Sequence, residues 1–124
     1  LPDLSNLMLI AVDDDQDSLE LVRVVLKACG AHVFVSQTAA DALAYLDRAP
    51  RVDALITDIA MPMMNGVELV RRARSHPDRR SLPAVAVTAY PEQAQPEFNA
   101  LVVKPIKLEN LASAVRAVID AQRA

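Results

Sequence analysis

Apolar and polar positions fall in blocks along this chain, and the period of the blocks changes. Leu7-Met8-Leu9-Ile10-Ala11-Val12 is an unbroken apolar run, the pattern of a strand buried on both faces of a parallel sheet. From Gln16 to Cys29 the period becomes helical, with Leu19, Val22, Leu26 and Cys29 on one face. Asp15 or Asp17 can start that helix and Gly30 can close it. His32-Val33-Phe34-Val35 is less apolar and suits an edge strand. Thr38 is placed to N-cap a second helix that carries Leu43 and Leu46 and stops before Pro50. Ala54-Leu55-Ile56-Thr57 is a third strand, ending at Asp58. Met61 to Gly66 is a loop, from which Asn65 caps a third helix to about Arg74, with Glu68 in the capping-box position. A polar loop, Ser75 to Leu82, leads to a fourth strand, Ala84-Val85-Ala86-Val87, ending at Thr88. Leu101-Val102-Val103 is a fifth strand, ending at Lys104-Pro105, and a last helix from about Leu108 to Ala121 buries Leu108, Leu111, Val115 and Ile119.

This alternation predicts an α/β fold, a parallel sheet with helices on both faces. Residues 1–6 are expected as linker and residues 7–124 as one domain, a size that 124 residues fit. Composition narrows the picture. The chain is 52% hydrophobic but only 3% aromatic, so its core must be aliphatic. A net charge of −3 without a basic stripe argues against a nucleic-acid surface. Arg71, Arg72, Arg74, Arg79 and Arg80 do cluster, but near a helix end, where cations are favoured. The single cysteine, Cys29, fits a reducing cytoplasm, and no signal peptide or membrane span is visible, so a cytoplasmic location is expected.

The chemistry lies at the strand ends. Asp13-Asp14-Asp15 follows the first strand directly. Like charges at the end of a buried strand repel and resist desolvation, and a hard divalent cation such as Mg²⁺ is the natural compensation. One such acid would be explained by the dipole of the following helix; three call for more. In an open parallel sheet, ligands bind outside the carboxyl ends of the strands. Asp13 and Asp14, Asp58, Thr88 and Lys104 all fall there, after strands one, three, four and five. Three carboxylates, a hydroxyl and an ammonium at one edge can hold Mg²⁺ and a phosphoryl group together.

Val-Asp-Asp at 12–14, Thr-Asp-Ile-Ala-Met-Pro at 57–62, Asn-Gly at 65–66, Thr-Ala at 88–89 and Lys-Pro at 104–105 form an ordered set. With it the chain resembles, over about residues 7–121, the receiver domains of two-component response regulators. The resemblance implies a flavodoxin-like doubly wound sheet of order 2-1-3-4-5. It implies a signalling phosphoacceptor rather than an enzyme. Asp58 would take a phosphoryl group from a histidine kinase or phosphotransfer protein. Asp14 would bind Mg²⁺ directly and Asp13 mostly through water; Asp58 and the backbone carbonyl of Ala60 would complete the protein ligands. Lys104 would contact a phosphoryl oxygen, Thr88 would hydrogen-bond the phosphoryl group, and the Lys104-Pro105 bond would be cis. The wording around Asp58 and Thr88 is similar to receivers carried by hybrid histidine kinases, which would place a kinase or effector domain in the same parent chain; a stand-alone or DNA-binding regulator is the other reading.

Two departures stand out. Only fifteen residues separate Thr88 from Lys104, and they must also hold strand five, which leaves the usual fourth helix short by about six residues. Pro91 and Pro96 oppose a continuous helix there as well. The fourth helix is therefore expected to be missing or shortened, with Phe98 dropping into the gap as an apolar plug. The surface used for phosphorylation-dependent dimers would be reshaped, and a monomer is expected. Second, Leu101 stands where the family places an aromatic switch residue, and Tyr90, two past Thr88, sits elsewhere. The alternative function is a phosphohydrolase of the haloacid dehalogenase type with Asp13 as nucleophile, since Asp13-Asp14-Asp15 satisfies its Asp-x-Asp spacing. That family also needs a later acidic pair and usually a cap domain. A flavodoxin-like FMN carrier is a third reading, though acids after strand one would repel the FMN phosphate.

Overall fold

The computed structural model describes residues 1–124. Five strands, β1 (Met8–Val12), β2 (His32–Ser36), β3 (Ala54–Thr57), β4 (Ala84–Thr88) and β5 (Ala100–Val103), alternate with helices α1 (Gln16–Ala28), α2 (Ala39–Arg48), α3 (Gly66–Arg74) and α4 (Leu108–Arg123). All strand pairs are parallel, in the order β2-β1-β3-β4-β5. The shared register sets Val12 beside Ser36 and Thr57, and Thr88 beside Val103. The residues that follow β1, β3 and β5 therefore emerge at one edge.

Strand alternation divides the core into two layers. Leu9, Ala11, Ile56, Val85, Val87 and Val102 point toward α1 and α4. Ile10, Val12, Leu55 and Ala84 point toward α2 and α3. The caps form where expected: Asp15 accepts from the Asp17 N–H, Thr38 from Asp41 and Asn65 from Glu68. Glu68 does not complete a capping box, because its carboxylate pairs with Arg72 at 3.0 Å. Gly30 closes α1 with φ +99°, a conformation that glycine reaches without a Cβ clash.

Between β4 and β5 there is only a one-turn 3₁₀ segment, Pro91–Gln93. The expectation of a missing or shortened fourth helix thus holds, and Phe98 fills part of its place, packing against Ile59, Val67 and Ala86. The rest of that face stays open: Leu101 and Val103 on β5 are 39% and 47% exposed. Two expectations change. The lead-in is docked rather than trailing, since Leu4 is fully buried and its N–H donates to the Cys29 carbonyl at 2.8 Å. Full burial of one leucine contributes about 2 kcal/mol toward holding the lead-in against the domain. Leu108, expected in the core, is 40% exposed, while Leu111, Val115 and Ile119 of the same helix are fully buried. It is the first residue of α4, ahead of the turns that cross the sheet.

Candidate phosphoryl and metal site

Asp13 leaves β1 buried at 3% exposure, and Asp58 leaves β3 at 8%. Asp14 is exposed beside them. One carboxylate oxygen from each of Asp13, Asp14 and Asp58 lies within 4.8 Å of the others. Lys104, arriving from β5 after a cis Lys104-Pro105 bond, donates from Nζ to Asp13 Oδ2 at 2.9 Å and to Asp58 Oδ2 at 3.1 Å. The remaining oxygens of the buried pair are held by main chain. Asp13 Oδ1 accepts from the Asp15 N–H at 2.9 Å, and Asp58 Oδ1 from the Ile59 N–H at 2.7 Å. Thr88, wholly buried at the end of β4, accepts the Tyr90 N–H on its hydroxyl at 3.0 Å. Ala60, two residues beyond Asp58, is exposed on the loop above the strand ends.

Electrostatics match this geometry. Burial pushes the Asp13 carboxyl above its usual range, against the hydrogen bonds from Lys104 and the Asp15 N–H. Burial alone would lower Lys104, but its hydrogen bonds to Asp13 and Asp58 outweigh it and hold the ammonium above its ordinary value. Three carboxylates thus face one cation, and two negative charges stay uncompensated. An all-oxygen donor set with that deficit fits a hard divalent ion such as Mg²⁺.

The cluster unites Asp13, Asp14, Asp58 and Lys104 as the strand-end pattern predicts, with Thr88 at the adjacent strand end. Asp15 is not part of it. Its side chain turns away to cap α1, accepting from the Asp17 N–H and from the Ser18 hydroxyl. That removes the second carboxylate of an Asp-x-Asp dehalogenase site. Sequence reasoning did not single out three supports. The Ile59 N–H fixes the Asp58 carboxylate. Gly66 brings α3 so close that its N–H donates to the Ile59 carbonyl at 2.8 Å, while a Cβ there would lie 2.1 Å from the Asp58 carbonyl oxygen. Arg74, expected only to complement a helix dipole, donates to the carbonyls of Leu82 and Glu97 and to Asn99 Oδ1. The Asn65-Gly66 pair was the one legible sign of such close packing.

Comparisons with known proteins agree. A curated relative, "Uncharacterized 14.6 kDa protein in sodA1 3'region" of Leptolyngbya boryana, is 38% identical over 110 residues, covering 83% of this chain and 82% of that protein. Signal transduction histidine-protein kinase BarA of Shigella flexneri is 30% identical over 108 residues, covering 82% of this chain but 12% of BarA. The chain spans only 27% to 50% of several further curated relatives. Among solved structures, the chemotaxis response regulator CheY4 of Vibrio cholerae superposes with a TM-score of 0.82 at 29% identity, covering 90% of this chain and 98% of CheY4. Residues 9–116 match the response regulator receiver domain as a family. The strand order, the strand-end cluster and this match over most of the chain agree: the chain belongs to the response regulator receiver domain family.

Proposed function

We infer that this domain accepts a phosphoryl group on Asp58 from a phosphohistidine, in a Mg²⁺-dependent reaction. The observation that carries this reading is the Lys104 ammonium shared between Asp13 and Asp58, with Asp14 completing the acidic cluster. Asp58 presents a carboxylate oxygen whose partner oxygen is fixed by the Ile59 N–H, so the nucleophile is oriented before the donor arrives. Attack forms the Asp58–phosphorus bond and breaks the bond to the donor imidazole nitrogen, which leaves with the electron pair. Charge builds on the equatorial phosphoryl oxygens. Lys104 would turn one of its donors toward that charge, and the Thr88 hydroxyl would donate to a phosphoryl oxygen. Asp13, Asp14, Asp58 and the Ala60 carbonyl would hold the cation. When bound, Mg²⁺ supplies the positive charge that neutralises the phosphoryl oxygens. The domain is then a signalling phosphoacceptor and not a turnover enzyme.

Acetyl phosphate tests this. Wild-type chain with Mg²⁺ is expected to gain one phosphoryl mass increment, and Asp58→Asn none; equal labelling of the variant would remove Asp58 from its role. Metal affinity is expected to depend on Asp14 and not on Asp15, which already serves as a helix cap. Calorimetric titration of Mg²⁺ should show a loss of roughly tenfold or more for Asp14→Ala and little change for Asp15→Ala. The reverse order would show that the acidic row is misassigned.

The donor is a sensor histidine kinase or a phosphotransfer protein. The similarity to BarA supports a parent chain in which a kinase or effector domain accompanies this one. No helix is long and apolar enough to cross a membrane. Nucleic acid is not a proposed partner, because Arg71, Arg72, Arg74 and Arg79 of the arginine cluster are engaged within the domain. Without the helix between β4 and β5, the domain is expected to stay monomeric when activated. Light scattering with Mg²⁺ and beryllofluoride, a phosphoryl mimic, should report one chain's mass, and a doubling would overturn that expectation.

A further inference from the structure

The Asp58 carboxylate is oriented on one side by a single group, the N–H of Ile59. Beside the Thr57 hydroxyl on the Asp58 carbonyl and the Gly66 N–H on the Ile59 carbonyl, what seats that peptide is the Ile59 side chain. Ile59 is 4% exposed and belongs to a small apolar cluster, with Val67 and Ala86, separate from the two larger core layers. In a doubly wound sheet a helix ordinarily crosses above β4 and β5. Here the crossover contains one 3₁₀ turn, and the partly buried residue packed on this cluster is Phe98, which also touches the core layer beneath α2 and α3. One ring takes the place of a helix over the loop that holds the nucleophile.

Phe98 comes from a stretch with little structure of its own. Within it the Phe98 N–H reaches only the Gln95 carbonyl, and the Asn99 N–H reaches Ala84 in the neighbouring strand. The side chains that anchor it come from the end of α3. Arg74 Nη1 donates to the Glu97 carbonyl at 2.6 Å, and Nη2 donates to Asn99 Oδ1 at 2.9 Å and to the Leu82 carbonyl at 2.8 Å. Arg71 Nε donates to Glu97 Oε2 at 2.7 Å. Arg74 thus ties the approach to β4 and the end of the crossover to its own helix. A planar fork with five donors can do this, and a lysine cannot. The helix that ends at Arg74 begins at Gly66, packed on the Asp58 carbonyl. The crossover is therefore bound to the Asp58 loop at two points: through the Phe98 ring and through α3.

We propose that Phe98, held by Arg74, is a positioning residue for Asp58, acting through the seat of Ile59 and its N–H. The proposal rests on the phosphoacceptor reading of Asp58 given above. It gives this chain a link from the site to its crossover segment that uses neither an aromatic residue at position 101 nor a helix between β4 and β5.

The test uses the whole chain and two readouts. The first is the backbone amide of Ile59, followed by ¹H–¹⁵N NMR and hydrogen exchange without any phosphodonor. The second is the rate of Asp58 labelling by acetyl phosphate and Mg²⁺. In Phe98→Ala, the Ile59 amide is expected to exchange about tenfold faster and labelling to slow about tenfold. Phe98→Leu, which refills the cluster, should restore both. Arg74→Lys should shift the same amide, although it lies at the far end of α3. Val118→Ala, in the core layer on the opposite face, should change neither. An unaltered Ile59 amide in Phe98→Ala or in Arg74→Lys overturns the proposal, as does an equal response in Val118→Ala. Should Phe98→Ala fail to fold, Arg74→Lys decides by the same amide. If wild-type chain takes no phosphoryl group, the phosphoacceptor reading fails, while the amide readout still decides whether Phe98 positions the Asp58 loop.

Discussion

Asp53→Ala is expected to lower the stability of the domain by about 2 to 4 kcal/mol, measured by urea denaturation at neutral pH. Asp53 is 7% exposed at the start of β3, on the sheet edge opposite the site. Its Oδ2 accepts from the Met8 N–H at 2.7 Å and from Arg51, and its Oδ1 accepts from Arg123 at 2.6 Å. Removal leaves a part-buried N–H at the head of β1 without an acceptor and frees the last turn of α4. The arginines are half-exposed and can return to water, so most of the loss comes from Met8 and from the released helix end. The pH dependence has a definite sign. Burial raises the Asp53 carboxyl, but hydrogen bonds from Arg51 and the Met8 N–H more than offset it and hold the folded-state value below the usual carboxylate range. Its stabilising effect is therefore complete above the unfolded pKa, about 3.9, and is lost as pH falls through the lower folded value. The stability gap between wild type and Asp53→Ala should be constant near neutrality and close in acid below about pH 4. Asp13, whose carboxyl is raised, titrates in the opposite sense, but it is common to both proteins and drops out of the difference. A gap that widens in acid would show that Asp53 is not held ionised by these partners.

Asp53 also marks where the sequence stops being legible. A strand buried on both faces leaves a mark in one dimension, an apolar run, so β1, β3 and β4 were visible in their own residues. Helices α1 to α3 were equally visible, because cap and period are local. The loss of the crossover helix was legible too, since fifteen residues with two prolines cannot hold both a helix and a strand. The site residues could be read because the sheet gathers strand ends, so position in the chain stood in for position in space. An acid just before a strand carries no such mark. Arg51 is a neighbour in sequence, but Met8 and Arg123 converge on Asp53 from β1 and α4, and nothing near position 53 announces them. Arg74 is similar: in the last turn of a helix a cation is expected on dipole grounds alone, and its partners Glu97 and Asn99 lie more than twenty residues on. Leu4 joins the core through the end of α1, although the polar residues around it have the composition of a linker.

Gly66→Ala should give the sharpest loss of phosphorylation outside the cluster itself. A Cβ at position 66 would stand 2.1 Å from the Asp58 carbonyl oxygen and 3.1 Å from the Ile59 Cα. All of these are main-chain atoms, so no side chain can swing aside, and either α3 or the Asp58 loop must retreat by about 1 Å in a close-packed interior. Overpacking of this kind costs about 1 to 3 kcal/mol. The larger effect is on chemistry. The displaced loop carries both the nucleophile and the N–H that orients it, and a 1 Å misplacement of a reacting group costs about a hundredfold in rate. Gly30→Ala separates the two effects. Gly30 sits at the opposite end of the sheet with φ +99°, where an added Cβ would meet the flexible Ser5 hydroxyl at 2.6 Å. Forcing alanine into that conformation costs about 1 to 2 kcal/mol, a loss similar to that at position 66. Acetyl phosphate labelling of the two variants, with urea denaturation of each, is the measurement. Gly66→Ala should be slowed about a hundredfold and Gly30→Ala should label at the wild-type rate. Equal slowing of both would mean that labelling follows global stability and that the fit of α3 against Asp58 has no part in it. Wild-type labelling of Gly66→Ala would mean that the loop absorbs the methyl group without moving the carboxylate.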